Sequence, residues 1–106
     1  MKCVSVQLYP ALDTTFEVGD LLALVRSIGR FPEVDQDDVD PKSINLNFFT
    51  EDLQGFWQQF QQGVLNDPEL GAWVKRIAVI VCEGDQGWDN YLLLWHHDQS
   101  QDTDDL

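Results

Sequence analysis

Positive charge is what this sequence has least of. Six Lys and Arg face nineteen Asp and Glu, for a net charge of −13 with neutral His. Nucleic-acid backbones and anionic membranes are held through basic footprints, so this balance argues against both as ligands. Cysteine is scarce as well. Cys3 and Cys82 stand far apart, without the density of a disulfide-stapled secreted scaffold or the close spacing of a zinc site. No apolar run is long: the longest, Ile77 to Cys82, has six residues, where a membrane span needs about 20. The first residues alternate polar and apolar, whereas a secretory signal is continuously apolar there. A cytoplasmic chain with reduced thiols is expected. Gly-rich phosphate loops and a serine between spaced glycines are missing too, so neither a nucleotide or other cofactor nor a hydrolase elbow is expected.

Apolar residues, by contrast, are plentiful. They make up 43% of the chain and include four Trp, six Phe and two Tyr. That suffices for one core without staples, and 106 residues fit one domain. The reading is a single acidic domain over residues 1–97, followed by a flexible acidic tail, 98–106, carrying Asp98, Asp102, Asp104 and Asp105. Without those four the body still holds fifteen acids against six bases. Such an excess repels itself in the folded state but speeds encounter with cationic surfaces.

Periodicity supplies the elements. Residues 2–9 alternate, with Val4, Val6 and Leu8 on one side and Cys3, Ser5 and Gln7 on the other, as in a half-buried strand. Thr14 and Glu17 have capping-box spacing, and Val18, Leu21, Leu22, Val25 and Ile28 recur at helical spacing before Gly29, predicting a helix over 15–28. Residues 31–43, with two prolines and four aspartates, read as a loop. Ile44, Leu46 and Phe48 alternate with Asn45, Asn47 and Phe49 as a second strand. Thr50 reads as the N-cap of a helix whose stripe is Leu53, Phe56, Trp57, Phe60 and Val64. Val74 to Glu83 reads as a strand apolar on both faces, a pattern that suits a sheet covered on both sides or partly covered by a partner. The turn Gly84–Gly87 and a last strand from Trp88 to His97 make a C-terminal β-hairpin. The expected fold is α/β, an α+β two-layer sandwich in the order β-α-β-α-β-β, with a four-stranded mixed sheet.

Two acidic clusters are the candidate binding residues. Asp35, Asp37, Asp38 and Asp40 crowd one segment, yet no calcium loop fits them. The sixth position from Asp35 is Asp40 where a glycine is needed, and the twelfth is Leu46 where a glutamate is needed. No metal is expected; a solvated loop or a contact surface for a basic partner is. Glu83, Asp85, Trp88 and Asp89 surround the hairpin turn. A tryptophan beside acids at a tip suits a binding hot spot, and equally a ring folded onto the core. His96 and His97 are adjacent, so in a strand they point to opposite faces. Neither cysteine has a nucleophile motif, and a binding protein rather than an enzyme is expected.

In size, acidity and lack of a catalytic motif the chain resembles the bacterial immunity proteins of toxin–immunity systems, including those of contact-dependent inhibition. The resemblance is one of overall character. It implies a monomeric inhibitor of a basic cognate toxin, a nuclease whose Lys and Arg hold phosphates, bound by the acidic loop, the hairpin tip and nearby aromatics. Alternatives from other classes are a nucleic-acid mimic that blocks DNA-binding proteins and an acidic secretion chaperone.

Overall fold

Alternation in the strands and helical stripes between them are satisfied together by a sheet that carries all its helices on one side. The computed structural model, which describes residues 1–106, contains strands β1 (Lys2–Leu8), β2 (Glu33–Asp37), β3 (Ser43–Thr50), β4 (Ala78–Gly84) and β5 (Gly87–His96). Helices are α1 (Val18–Ser27), α2 (Leu53–Phe60), which runs on into a π turn over Gln61–Leu65, and α3 (Gly71–Ile77). The sheet order is β2-β3-β1-β4-β5 and every neighbouring pair is antiparallel. No helix is long and apolar enough to cross a membrane.

The α+β class is as expected, but the sheet differs in two respects: it has five strands rather than four, and it is antiparallel throughout rather than mixed. The fifth strand is β2, inside the segment read as a loop. Asp is poorly suited to strands, so the sequence of β2 carries no strand signal. Its pairing with β3 over Glu33↔Asn47 to Asp37↔Ser43 makes it one. As an exposed, five-residue, acid-bearing edge it also blunts edge-to-edge association.

The second correction concerns residues 74–77, expected in a strand and found in α3. Asp67 holds the turn that leads into this helix: its carboxylate accepts from the N–H groups of Glu69 (3.0 Å) and Leu70 (2.8 Å). Leu70, Trp73, Val74 and Ile77 then fall at i, i+3, i+4 and i+7, all buried. Short apolar runs read equally well as helix or strand, and here the helical spacing wins. Caps moved as well. α1 begins at Glu17, whose N–H donates to Asp20 (3.0 Å), and α2 begins at Asp52, whose carboxylate accepts from Gly55 N–H (3.0 Å).

One core results. Val4, Val6, Leu8, Leu46, Phe48, Ile80 and Cys82 point from the sheet into a layer formed by Leu21, Val25, Phe56, Phe60, Trp73 and Ile77. Phe48 meets Phe56 and Phe60 with ring centroids 5.1 and 5.9 Å apart. Trp73 is fully buried and satisfies its indole N–H on the Asp13 carbonyl at 2.8 Å. Trp95 likewise donates to the Lys75 carbonyl at 3.0 Å. The segment after β5, expected as a flexible tail, returns along that strand. Asp104 accepts from Leu93 N–H through its carboxylate (2.8 Å) and donates its own N–H to Leu93 O (2.7 Å), while Leu106 packs against the core.

Candidate partner-binding face

Because successive strand residues alternate faces, burying Val4, Val6, Leu8, Leu46, Phe48, Ile80 and Cys82 under the helices sends their neighbours to the other side. None of those neighbours belongs to the helix-covered core. The register places Ser5 beside Asn47 and Val81, Gln7 beside Asn45 and Val79, and Val81 beside Leu93. Asn47 pairs in turn with Glu33, and Asn45 with Asp35. The helix-free face is therefore graded. Val79, Val81 and Leu93 form an apolar side over β4 and β5, small polar groups cross β1 and β3, and the carboxylates of Glu33, Asp35 and Asp37 line the β2 edge.

The hairpin gives this face depth. Trp88 and Tyr91 stand at one wall of a groove of about 440 Å³ whose floor includes Ser5, Gln7, Asn47, Val79, Val81 and Leu93. Trp88 is 46% and Tyr91 57% exposed, and Phe49, in register with Cys3, is 48% exposed. Neither Trp88 nor Tyr91 pairs with another ring or with a cation of this chain. Asn47 donates its side-chain amide to Asp35 at 2.9 Å, which fixes the amide and leaves its carbonyl oxygen free to accept. Asn45 Oδ1 is buried with no hydrogen-bond partner.

No Lys or Arg occupies a strand position on this face. Arg26 lies on α1, Lys75 and Arg76 on α3, and Arg30 follows α1, with its guanidinium 5.0 Å over the Phe56 ring. Lys2 sits on the helix-side register opposite Thr50 and donates to the Gly84 carbonyl. Lys42 belongs to the β2–β3 turn, beside Asp37 and Asp38. The helix layer thus holds most of the scarce cations, and the open face has none.

Of the residues singled out in the sequence, Asp35, Asp37 and Trp88 come to this face. Asp38 and Asp40 are exposed in the β2–β3 turn at its edge. Glu83 is engaged at the sheet end, accepting from Cys3 N–H at 2.8 Å. Asp85 lines a separate hollow with Lys2, Leu53 and Leu106, and Asp89 is exposed on β5. Sequence reasoning did not pick Glu33, Asn45, Asn47, Tyr91 or the apolar pair Val79 and Val81. The signal for the last two was present, in the two-sided apolar character of β4.

The cysteines and histidines lie as follows. Cys3 faces the open side and Cys82 the helices, and both are buried free thiols. Burial raises both above the ordinary thiol range; Glu83 and Glu33 add to the rise at Cys3, and at Cys82 a hydrogen bond at Leu92 and the charge of Lys2 oppose it. His96 and His97 were expected on opposite faces, but β5 ends at His96 and their rings meet with centroids 4.7 Å apart. No three His, Cys, Asp or Glu side chains converge on a point that would hold a metal. In comparisons with protein-family models, curated proteins and solved structures, nothing matches this chain.

Proposed function

We propose that this protein is an inhibitor of the immunity type, which holds a basic cognate toxin, a nuclease, against the helix-free face of its sheet. The observation that carries the reading is the make-up of that face. It joins a half-buried apolar side, two unpaired aromatic rings and a carboxylate row, and no Lys or Arg holds a strand position among them. Apolar surface at Val79 and Val81 would be covered by helices in a three-layer fold; in a two-layer fold a partner gains by covering it. Aromatic anchors amid acids suit a basic protein surface, and the field of a −13 chain speeds the encounter. A nuclease surface fits best, because its Lys and Arg are already arranged for polyanions.

Nucleic-acid mimicry draws support from the row Glu33, Asp35, Asp37, but that row is only one short strand long. The apolar side and the rings have no counterpart in a phosphate backbone, so the protein-inhibitor reading is favoured. The test is capture from the native host with the tagged protein as bait, followed by mass spectrometry and assay of whatever is retained. The expected result is one stoichiometric basic protein whose nuclease activity the bait suppresses. A spread of unrelated DNA-binding proteins, released by moderate salt, would overturn this reading in favour of mimicry.

A further inference from the structure

The groove on the open face has a chemistry more specific than a general attraction for bases. We infer that it seats an arginine side chain of the basic partner, stacked against Trp88 and Tyr91. The inference rests on the inhibitor reading for the source of that arginine, and on the groove alone for its chemistry.

The groove offers acceptors and ring faces. Ser5, Gln7 and Asn47 line it and each carries an oxygen that can accept, one Asn47 amide N–H is engaged by Asp35, and the neighbouring Asn45 Oδ1 is buried without a donor. A guanidinium brings five N–H donors in one plane and no acceptor. It therefore answers the side-chain oxygens of the groove and the unmet Asn45 Oδ1 without bringing a lone pair of its own. The two rings have no partner within the chain, and a planar, weakly hydrated guanidinium stacks on such rings where an ammonium does so less well. Its three-methylene stem would lie along Val79, Val81 and Leu93, so the apolar and the polar lining of the groove are used by one side chain. The Asp35 carboxylate, one hydrogen bond behind Asn47, supplies the counter-charge. At about 440 Å³ the groove has room for one such side chain.

The test uses the full chain, labelled with ¹⁵N, and three probes: N-acetyl-argininamide, N-acetyl-lysinamide and N-acetyl-leucinamide. The arginine probe should move the Trp88 indole and the Asn45 and Asn47 side-chain amide signals saturably. The lysine probe should bind at least fivefold more weakly, and the leucine probe should leave the amide signals still. Trp88→Ala and Tyr91→Ala should each weaken the arginine probe tenfold or more while the remaining spectrum keeps its dispersion. Equal shifts with arginine and lysine, spread over the acidic segments, would overturn the assignment. So would saturable binding that both alanine variants retain.

The two readings fail separately. A captured nuclease that Trp88→Ala binds as tightly as wild type does would leave the inhibitor reading standing and remove the arginine seat. A saturable arginine site in a bait that captures only unrelated DNA-binding proteins would do the reverse.

Discussion

Among the four tryptophans, three are used up by the fold. Trp73 and Trp95 donate to backbone carbonyls, and Trp57 stacks on Phe60 with centroids 6.2 Å apart. Trp88 alone is half exposed with an unpaired ring, so the sequence-level choice between hot spot and core falls on the side of the surface. Trp88→Ala is expected to raise the dissociation rate of the partner about 30-fold, or ~2 kcal/mol, the scale of an interface anchor. Its melting temperature should stay within about 4 °C of wild type, as for a surface substitution. Stopped-flow dissociation beside thermal melting checks both numbers; a large loss of melting temperature would return the ring to the core. Two titrating residues add a second prediction. Burial, and then the charge of His96, hold His97 below the ordinary histidine range. Below about pH 6.5 the unfolded chain takes up a proton there that the folded chain refuses. His97 therefore stabilises the fold above that pH, and its contribution is lost as pH falls through the depressed folded value. Asp13 is held at about 2 by the Thr15 hydroxyl and N–H and then by Arg76. Its stabilisation is present above the unfolded value of about 4 and is lost as pH falls toward 2. Comparing chemical denaturation of wild type with His97→Gln should show a difference that shrinks below pH 6, whereas Arg76→Ala should differ from wild type by an amount that shrinks only below pH 4. A His97→Gln difference that stayed constant across the range would contradict the first assignment.

At the level of elements, what could be read from the chain depended on whether a residue's neighbours in sequence decide its state. β1 and β3 alternate plainly, β5 follows a clear turn at Gly84–Gly87, and the stripes of α1 and α2 are regular, so these stood out. β2 did not, because Glu33–Asp37 becomes a strand only through β3 lying beside it, and no local pattern announces that. α3 was hidden in the opposite way, its Val74–Ile77 end merging with the apolar run of β4. The candidate binding face suffered from the same limit. Asp35 and Trp88 are far apart in sequence, and only the order β2-β3-β1-β4-β5 brings their strands into one sheet with Asn47 and Val81 between them. A third prediction belongs to this scale. A Cβ on Gly71, the first residue of α3, would lie 2.2 Å from the Leu65 carbonyl oxygen at the end of the π turn. Both are backbone and cannot swing aside, so Gly71→Ala should cost about 1–3 kcal/mol in urea denaturation. Gly19→Ala, with nothing within 4 Å of the added methyl, should be neutral or stabilising. Equal effects at the two glycines would contradict the packing described for α3.

Taken as a whole molecule, the chain carries −13 charges with a single ion pair, Arg76 to Asp13 at 2.7 Å. Self-repulsion should therefore dominate its response to salt. Raising NaCl from about 10 to 500 mM shortens the Debye length from about 30 Å to a few ångströms and should raise the melting temperature. The same change should slow association with a basic partner about tenfold or more, since steering is the term that salt removes. What sets the open face apart from this general field is position, and position can be tested at constant charge. The most direct measurement compares the partner's association and dissociation rates for Glu33→Lys/Asp37→Lys, on the open face, with those for Glu51→Lys/Glu69→Lys, between β3 and α2 and ahead of α3. Both pairs change the net charge equally. The open-face pair is expected to slow association about tenfold and to speed dissociation, while the other pair shows only the small loss due to total charge. Equal effects from the two pairs, or a larger effect from Glu51 and Glu69, would contradict the helix-free face as the binding surface.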